Sequence, residues 1–326
     1  MAQPAGYGPN LGFSRVGLGT SVVGTAYEQE VLLLAQPNLP FMPYARLNFA
    51  PGAKKGETLV FNIAGDITAG AALTAGTPIP LNTFSFQQIG MRLKEYGNGL
   101  SWDSSWDELF SYTSNANLFR QQLANDFAKV MNTQFLTTLD TAATTLCSFA
   151  AGSVAEKATI GTFGSYQIGT YMVHEMRRLF ELNNVPKFPG PNGGYWVWAG
   201  HPSSFEFLRR SDAFTTVNLY AADRGQGNML YTGADAWMYD GFMFIPTTTC
   251  TTSTTLNGGT SFAFGLDAFG MGIGQGFEVR YEDDYATDFG RMKAVAWMSV
   301  ASFGLLYGGS QTGVTPRIYR AAHTDL

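Results

Sequence analysis

Alternating apolar residues predict two strands in the first third of the chain. In GETLVFNI, apolar side chains recur at every second position, which is the period of a strand with one buried face. The stretch 84–96 continues with apolar residues, but their phase changes near Gln87 and Gln88, which predicts a β-bulge or bend. Together these two stretches predict a long two-stranded hairpin.

The segment that joins the two strands is unusually long and nearly uncharged. It reads GDITAGAALTAGTPIPLNT, residues 65–83, and consists mostly of small residues and prolines. Hairpin loops usually need about two to five residues. The segment is therefore longer than a turn requires. Its residue types suit shape complementarity rather than chemical reactivity.

Apolar residues at steps of three and four predict one long helix over residues 115–142. Ser114 or Asn115 can cap its start. At 1.5 Å per residue the helix spans roughly 40 Å, far beyond the average helix of about 11–12 residues. We interpret it as a structural spine, and its apolar positions are Phe119, Leu123, Phe127, Val130, Met131, Phe135 and Leu139.

The rest of the chain mixes helices and strands. A helix is predicted over 166–183, a buried strand at YWVWAG, and a hairpin with Asp240 and Gly241 at its turn. Strands follow after residue 261, and the polar run around Cys250 predicts an exposed loop. Because strands and helices do not alternate strictly, we expect an α+β fold in which the two ends of the chain share one domain.

Composition narrows the function classes. Charged residues make up 14% of the chain, below the usual ~25%, and aromatic residues also reach 14%. Either uncharged polar residues cover the surface, or other copies of the chain cover it. The net charge of -5 argues against a protein that tracks nucleic-acid phosphates. The apolar stretch 294–309 is too short for a membrane helix and indicates buried strands.

Histidines and cysteines are too few and too dispersed to indicate a catalytic or metal site. His174 is expected on a helix, His201 at a helix start and His323 in a loose tail, and each is interpreted as structural. Cys147 and Cys250 lack the spacing of metal ligands, and their number is too small for a disulfide scaffold. A reducing compartment is the simplest interpretation.

One acidic cluster offers an alternative function. Glu282, Asp283, Asp284 and Asp288 lie in YEDDYATD, and several carboxylates can bind calcium or magnesium. A metal-assisted hydrolase using Glu282, Asp283, Asp284 and a histidine is therefore one hypothesis. The pattern of a calcium-binding loop is missing, so an exposed turn between strands is the favoured interpretation.

A run of glycines resembles a cofactor-binding motif, but the resemblance is superficial. GMGIGQG contains Gly270, Gly272, Gly274 and Gly276, but the spacing is not GxGxxG. The following FEVRY predicts a strand, whereas a dinucleotide loop must open a helix that receives the pyrophosphate. No cofactor is therefore expected.

The order of these elements resembles that of the major capsid proteins of tailed phages, which share the Hong Kong 97-type fold. Three blocks are similar to the branch of the family named after phage N-four, and they also occur in the family's order. These blocks are FMPYARLNFAPGAKKGETLVFNIAGDITAGAALTAGTPIP, IGMRLKEYGNGLSWDSSWDELF with LANDFAKVMNTQFLTTL, and FAFGLDAFGMG with FGRMKAVAWMSVASFGLLYG.

The resemblance implies a domain layout. Residues 1–43 would be an N-terminal arm, and residues 51–90 an extended loop that reaches onto a neighbouring subunit. Residues 145–270 would form the axial domain. The peripheral domain would combine residues 44–50, 91–144 and 271–326.

The resemblance also implies a function, partners and a location. The chain would be a structural protein, not an enzyme, without catalytic, cofactor or metal residues. It would assemble into hexamers and pentamers of an icosahedral shell around double-stranded DNA, which it would contact only non-specifically. A separate scaffolding protein and a portal would be partners, with a decoration protein as a further option and no membrane. It would be made in the host cytoplasm and reside in the virion.

Two departures from relatives shape these expectations. The chain begins almost at the arm, so scaffolding is expected from a separate protein or from a piece absent from this sequence. Residues 57–91 contain no lysine, so we expect no covalent cross-link through the extended loop. Another virion component, such as a tail or attachment protein, is the remaining structural alternative.

Overall fold

The computed structural model describes residues 39–65, 79, 86–103, 112–142, 145–148, 154–156, 168–190, 193–210, 237–251, 259–283, 292–308 and 315–323. Its helices and strands are interspersed along the chain, so the predicted α+β class is confirmed. The predicted arm before residue 39, the tip of the hairpin apart from Ile79, and the caps of the long helix lie outside the described residues and side chains.

The described part of the chain contains three helices and thirteen strands. The helices are α1 (Tyr112–Leu139), α2 (Thr170–Leu182) and α3 (Glu206–Arg210). The strands are β1 (Arg46–Phe49), β2 (Thr58–Ala64), β3 (Phe86–Arg92), β4 (Lys94–Asp103), β5 (Thr145–Ser148), β6 (Val154–Glu156), β7 (Trp196–Gly200), β8 (Trp237–Tyr239), β9 (Phe242–Pro246), β10 (Gly259–Phe264), β11 (Phe269–Asp283), β12 (Met292–Leu305) and β13 (Ile318–His323).

A four-stranded sheet joins segments from both ends of the chain. Its strand order is β1-β11-β12-β4, and β1 runs parallel to β11 while the other pairs are antiparallel. This pairing places residues 46–49 and 94–103 beside residues 269–283 and 292–305. Segments that are distant in the sequence therefore meet in this sheet.

Helix α1 lies across one face of this sheet, as a spine. Its 28 residues bury a stripe at steps of three and four, as the sequence predicts. The ring of Phe135 lies 4.8 Å from that of Phe303 on β12 and 5.7 Å from that of Phe269 on β11. Asp126 accepts a hydrogen bond of 2.8 Å from the indole nitrogen of Trp297, which fixes the helix against β12.

A seven-stranded sheet forms the second layer, with strand order β6-β5-β13-β10-β7-β9-β8. Helix α2 packs against it with Met172, Val173, Met176 and Phe180, all buried. All five residues of β7 are buried, which agrees with the continuous apolar run YWVWAG. The turn between β8 and β9 has Asp240 and Gly241 at φ 49° and 83°, as a type I′ hairpin requires, so this prediction is confirmed.

The sheets divide the chain differently from the predicted domains at one place. Strand β13 was expected with residues 271–326 in the peripheral domain, but it pairs with β10 and β5 in the seven-stranded sheet. Both faces of β13 are covered, with Ile318 in the cluster under α1 and Tyr319 in the cluster under α2. Sheet pairing therefore places this strand with the segment 145–270.

Strands β2 and β3 form the predicted hairpin, but the predicted bulge is wrong. Their pairing runs without a register shift from Thr58 opposite Arg92 to Ala64 opposite Phe86. The change of apolar phase arises because Phe86 points to solvent with 68% of its surface exposed. The irregularity lies instead at Leu93, where β3 ends before β4 begins in the other sheet.

The base of the hairpin lies on its own subunit. Phe61, Ile63 and Met91 are buried in one cluster with Leu306 and Tyr307, which follow β12. The described base of the predicted extended loop, 51–90, therefore contacts its own subunit. A projection onto a neighbour stays a prediction for residues 66–85, which lie outside the description apart from Ile79.

Candidate subunit-contact surface

The outer face of the hairpin is exposed and nearly uncharged. Pairing of β2 with β3 places eight side-chain positions on this face, and all eight are exposed. Arg92 carries the only formal charge among them. The positions are Thr58, Val60, Asn62, Ala64, Phe86, Gln88, Gly90 and Arg92.

The hairpin also offers strand edges. Among the described strands, β2 and β3 pair only with each other, so each presents one edge to its surroundings. An edge of this kind is a template for pairing with another chain. A neutral face next to such an edge allows close contact without the cost of desolvating charges.

Strand β1 provides a second exposed edge, on the four-stranded sheet. It pairs with β11 on one side, and it ends the sheet on the other among the described strands. Leu47 is 39% exposed and Phe49 is 64% exposed. The sequence motif RLNF carried a two-residue apolar period that could have revealed this edge, but the three prolines before it obscured the signal.

Further exposed apolar side chains lie on the helices of the second layer. Tyr171 and Leu182 lie on α2, and Phe207 lies on α3. Leu182 borders a cleft of about 200 Å³, which Ala64 of the hairpin and Arg317 also line. The end of the described hairpin and the end of α2 therefore form adjacent parts of one surface.

His174 and His201 occupy the elements that the sequence predicted for them. His174 is exposed on α2, and its Nδ1 lies 2.7 Å from a carboxylate oxygen of Asp240. Arg177 bonds both Glu181 and Asp240, and these hydrogen bonds raise the pKa of its guanidinium. This ion-pair network ties α2 to the β8–β9 turn, which is a structural role.

His201 precedes the short 3-10 helix Pro202–Phe205, whose first turn it caps by accepting a hydrogen bond from the backbone N–H of Ser203.

The predicted position of His323 is wrong. This residue is buried in β13 opposite Gly259 rather than in a loose tail. The short strand IYRAAH shows no alternation because both of its faces are covered.

The acidic cluster is placed only in part. Glu282 and Asp283 end β11, opposite Ala294 and Lys293 of β12. Their side chains, and all of Asp284 and Asp288, lie outside the description. Among the residues that are described, no group of three or more His, Cys, Asp and Glu side chains could hold a metal ion.

Cys250 is buried, whereas the sequence predicted an exposed loop around it. Its backbone N–H donates to the carbonyl of Thr247, which folds the segment inward at the end of β9. Burial raises the pKa of the Cys250 thiol to about 12 from a usual value of 9.0. The strand position of Cys147 is described in β5, but its side chain is not.

The raised pKa predicts an unreactive thiol. In a Cys147→Ser background at pH 8, we expect Cys250 to react with a chromogenic disulfide reagent about a thousandfold more slowly in the folded protein than in urea, because three pKa units remove that much thiolate. Absorbance at fixed reagent concentration measures both rates. A native rate within tenfold of the unfolded one would contradict this placement.

The glycine run lies in strand β11. The sequence predicted a strand here rather than the helix that follows a dinucleotide-binding loop. Gly270 and Gly272 pair with Gly304 and Ser302 of β12, and FEVRY continues the same strand. Register shifts occur after Ile273 and Gln275, where the strand bends. No helix begins at this run.

Comparison with solved structures identifies the fold. The "Cyanophage Pam1 capsid asymmetric unit" is similar with a TM-score of 0.63 and 14% identity, over 87% of this chain and 92% of that chain. The "Acidic stable capsid structure of Helicobacter pylori bacteriophage KHP30" is similar with a TM-score of 0.60 and 11% identity, over 88% and 91%. The "Capsid of Ralstonia phage GP4" gives 0.58 and 13%, over 86% and 88%.

The chain has the Hong Kong 97-type fold. No protein-family model and no curated protein matches its sequence. The assignment of the Hong Kong 97-type fold therefore depends on three-dimensional likeness, and the narrower resemblance to the N-four branch stays a prediction. None of the helices in the described part is long and apolar enough to cross a membrane.

Proposed function

We propose that this chain is a structural major capsid protein, whose copies build an icosahedral shell around the double-stranded DNA genome of a phage. The observation that supports this most strongly is the extent of the fold likeness. It covers 87% of this chain and 92% of the Pam1 chain.

The surface chemistry supports self-association. The exposed hairpin face and the β1 edge carry apolar and neutral polar side chains, which can be buried between subunits with little desolvation cost. Contacts between unlike surfaces of identical copies generate closed rings when the rotation closes. Hexamers and pentamers are the rings that an icosahedral shell requires, and we propose them for this chain.

We propose the domain layout implied by the resemblance, with one change. Residues 1–43 form the arm, 51–90 the extended loop and 145–270 the axial domain, while 44–50, 91–144 and 271–314 belong to the peripheral domain. Residues 315–326 are moved to the axial domain because β13 pairs with β10 and β5. The loop's tip, residues 66–85, is the part that contacts a neighbour.

Partners and location follow from the same proposal. A separate scaffolding protein and the portal are proposed partners, together with a decoration protein as an option. Contact with packaged DNA is non-specific, since a net charge of -5 suits a wall that does not retain the genome. The mature location is the virion, after synthesis in the host cytoplasm.

The alternative functions have less support. The metal-assisted hydrolase depends on Glu282, Asp283 and Asp284, of which only the backbone of the first two is described. The tail or attachment hypothesis lacks a similar structure among those reported above, since all three are capsids. Neither alternative is proposed.

The test is electron microscopy of the full chain, expressed alone and with the scaffolding protein from the same genome. We expect rings of five and six and closed shells. As a control, a Phe49→Lys, Phe86→Lys variant places charges on both exposed surfaces and is expected to reduce assembly while the subunit stays folded. Compact monomers under every assembly condition would contradict the proposal, and tubes of one fixed symmetry would favour a tail protein.

A further inference from the structure

The glycine run of β11 faces the hairpin, and we propose that it is a docking seat that sets the depth and direction in which the hairpin lies on the subunit. The seat consists of Gly270, Gly272 and Gly274 of β11 and Gly304 of β12. The sequence motif GMGIGQG is thereby explained by packing rather than by a cofactor.

The four glycines share the face of the sheet that is opposite to α1. Gly270 pairs with Gly304, and Gly272 pairs with Ser302, so these positions lie side by side. Phe303, one residue before Gly304, contacts Phe135 of α1. Because side chains alternate along a strand, Gly304 must face away from α1 and toward the hairpin.

The hairpin contacts the bare backbone at these positions. A Cβ atom on Gly272 would lie 2.5 Å from Oγ of Ser302 on β12 and 2.6 Å from Cδ1 of Leu59 on the hairpin. A Cβ atom on Gly304 would lie 2.7 Å from Cε of Met91. A Cβ atom on Gly270 would lie 3.1 Å from the ring of Phe61. Separations below 3.0 Å are essentially never seen for real Cβ atoms, so any side chain at Gly272 or Gly304 forces the hairpin or its side chains to move.

The contact with the glycines decides how the hairpin lies, because of the way the hairpin is connected to the four-stranded sheet. Strands β2 and β3 form a sheet of their own, so no strand ladder joins them to the four-stranded sheet. Backbone bonds at the base close the hairpin on itself, from Gly56 to the carbonyl of Leu93 and from Leu93 to the carbonyl of Glu57. Side-chain packing of Leu59, Phe61 and Met91 on the glycines therefore fixes how the hairpin lies.

A seat without side chains has two physical consequences. The hairpin approaches until its apolar face meets the backbone, which maximises dispersion contact. The glycines themselves contribute no side chain that interlocks with the hairpin, whereas Leu306 and Tyr307 beside them share the buried cluster of Phe61 and Met91. Because residues 66–85 continue from Ala64 and Phe86, the seat also determines where that segment starts.

Hydrogen exchange of the full chain tests the seat directly. An isolated two-stranded hairpin is marginally stable, so lifting it from the seat exposes its amides. Gly272→Ala is made together with Ser302→Ala, which removes the Oγ atom that would lie 2.5 Å from the new Cβ atom within the sheet. Relative to Ser302→Ala alone, we expect exchange in residues 57–64 and 86–93 to be at least about tenfold faster, with α1 and β12 unchanged. Gly276→Ala is the matched control, because it lies on the same strand and its Cβ atom would have no neighbour within 4 Å.

A compensating substitution distinguishes loss of the contact at the seat from general destabilisation of the subunit. In the Gly272→Ala, Ser302→Ala background, a further Leu59→Ala removes the remaining clashing atom, Cδ1, and the two Cβ atoms of residues 272 and 59 would then be 3.5 Å apart, which is an ordinary contact. We expect Leu59→Ala to slow hairpin exchange in this background, although it accelerates exchange in the wild type. The pair Gly304→Ala and Met91→Ala repeats the cycle at a second site.

Two results would overturn the inference. One is hairpin exchange in the Gly272→Ala, Ser302→Ala variant that stays within twofold of Ser302→Ala alone and of Gly276→Ala. The other is loss of protection throughout β12 in both the Gly272→Ala, Ser302→Ala variant and Gly304→Ala, which would mean that the sheet itself needs the glycines. The inference concerns the single subunit, so failure of shell assembly would not affect it.

Discussion

Replacing residues 65–85 with an Asn-Gly turn is expected to leave a folded subunit and to reduce the yield of closed shells by at least about tenfold, since a loss of ~1.4 kcal/mol per contact is already a tenfold change in an equilibrium constant. Ala64 pairs with Phe86 at the end of the described ladder, so a two-residue turn can rejoin the strands. The buried contacts of Phe61 and Met91 lie outside the replaced segment and are retained.

Thermal unfolding and electron microscopy together measure this effect. The melting temperature should stay close to that of the wild type while shells disappear. A control deletion within 252–257, a polar segment of similar residue types, should leave assembly intact. Shells of normal yield and stability in the hairpin variant would show that the tip does not join subunits.

Phe135→Ala is expected to lower the free energy of unfolding by about 3–5 kcal/mol, whereas Phe86→Ala should change it by no more than about 0.5 kcal/mol. Phe135 is 1% exposed and packs between α1 and the four-stranded sheet, with Phe41, Phe269 and Phe303 around its ring. Its removal leaves a cavity that the rigid sheet cannot close. Phe86 is 68% exposed.

Urea denaturation of the two variants in parallel measures the difference, and both remove the same side chain. If the proposed function is correct, the variant with the smaller loss of stability should have the larger effect on assembly. Phe86→Ala should weaken shells without weakening the subunit. Equal losses of stability would mean that Phe86 is packed within its own subunit, and the outer hairpin face would then not be a contact surface.

The elements with strong local signals could be predicted from the sequence. The 28-residue spine, the buried strand YWVWAG and the Asp240–Gly241 turn each depend on nearby residues, either through a regular apolar period or through backbone conformations that few residues adopt. The fold class followed from the order of these elements. The resemblance to capsid proteins also depended on that order, since each block alone is a weak signal.

The remaining features depend on partners that are distant in the sequence. The phase change at Gln87 suggested a bulge because the exposure of Phe86 was unknown, and apolar residues were assumed to be buried. His323 was placed in a tail because a strand covered on both faces shows no alternation. The docked base of the hairpin is a tertiary result that no local period encodes.

The candidate contact surface was predicted only in outline. Low charge left open whether uncharged polar residues or other copies cover the surface, and it did not select Phe49, Val60 or Phe86 among the many aromatic and apolar residues. That choice requires knowing which face of each strand is already occupied. The glycine run illustrates the same limit, because spacing excluded a cofactor loop but could not reveal the hairpin above it.

The central position of β13 has a consequence for the timing of synthesis. This strand lies between β5 and β10, so the larger sheet stays divided until residue 323 has emerged from the ribosome. Until then, β5 and β10 each present the edge that β13 will later occupy, and such an edge is a template for pairing with another chain. A nascent chain therefore depends on this strand to close the gap, and folding of the second layer finishes only after the strand has been synthesised.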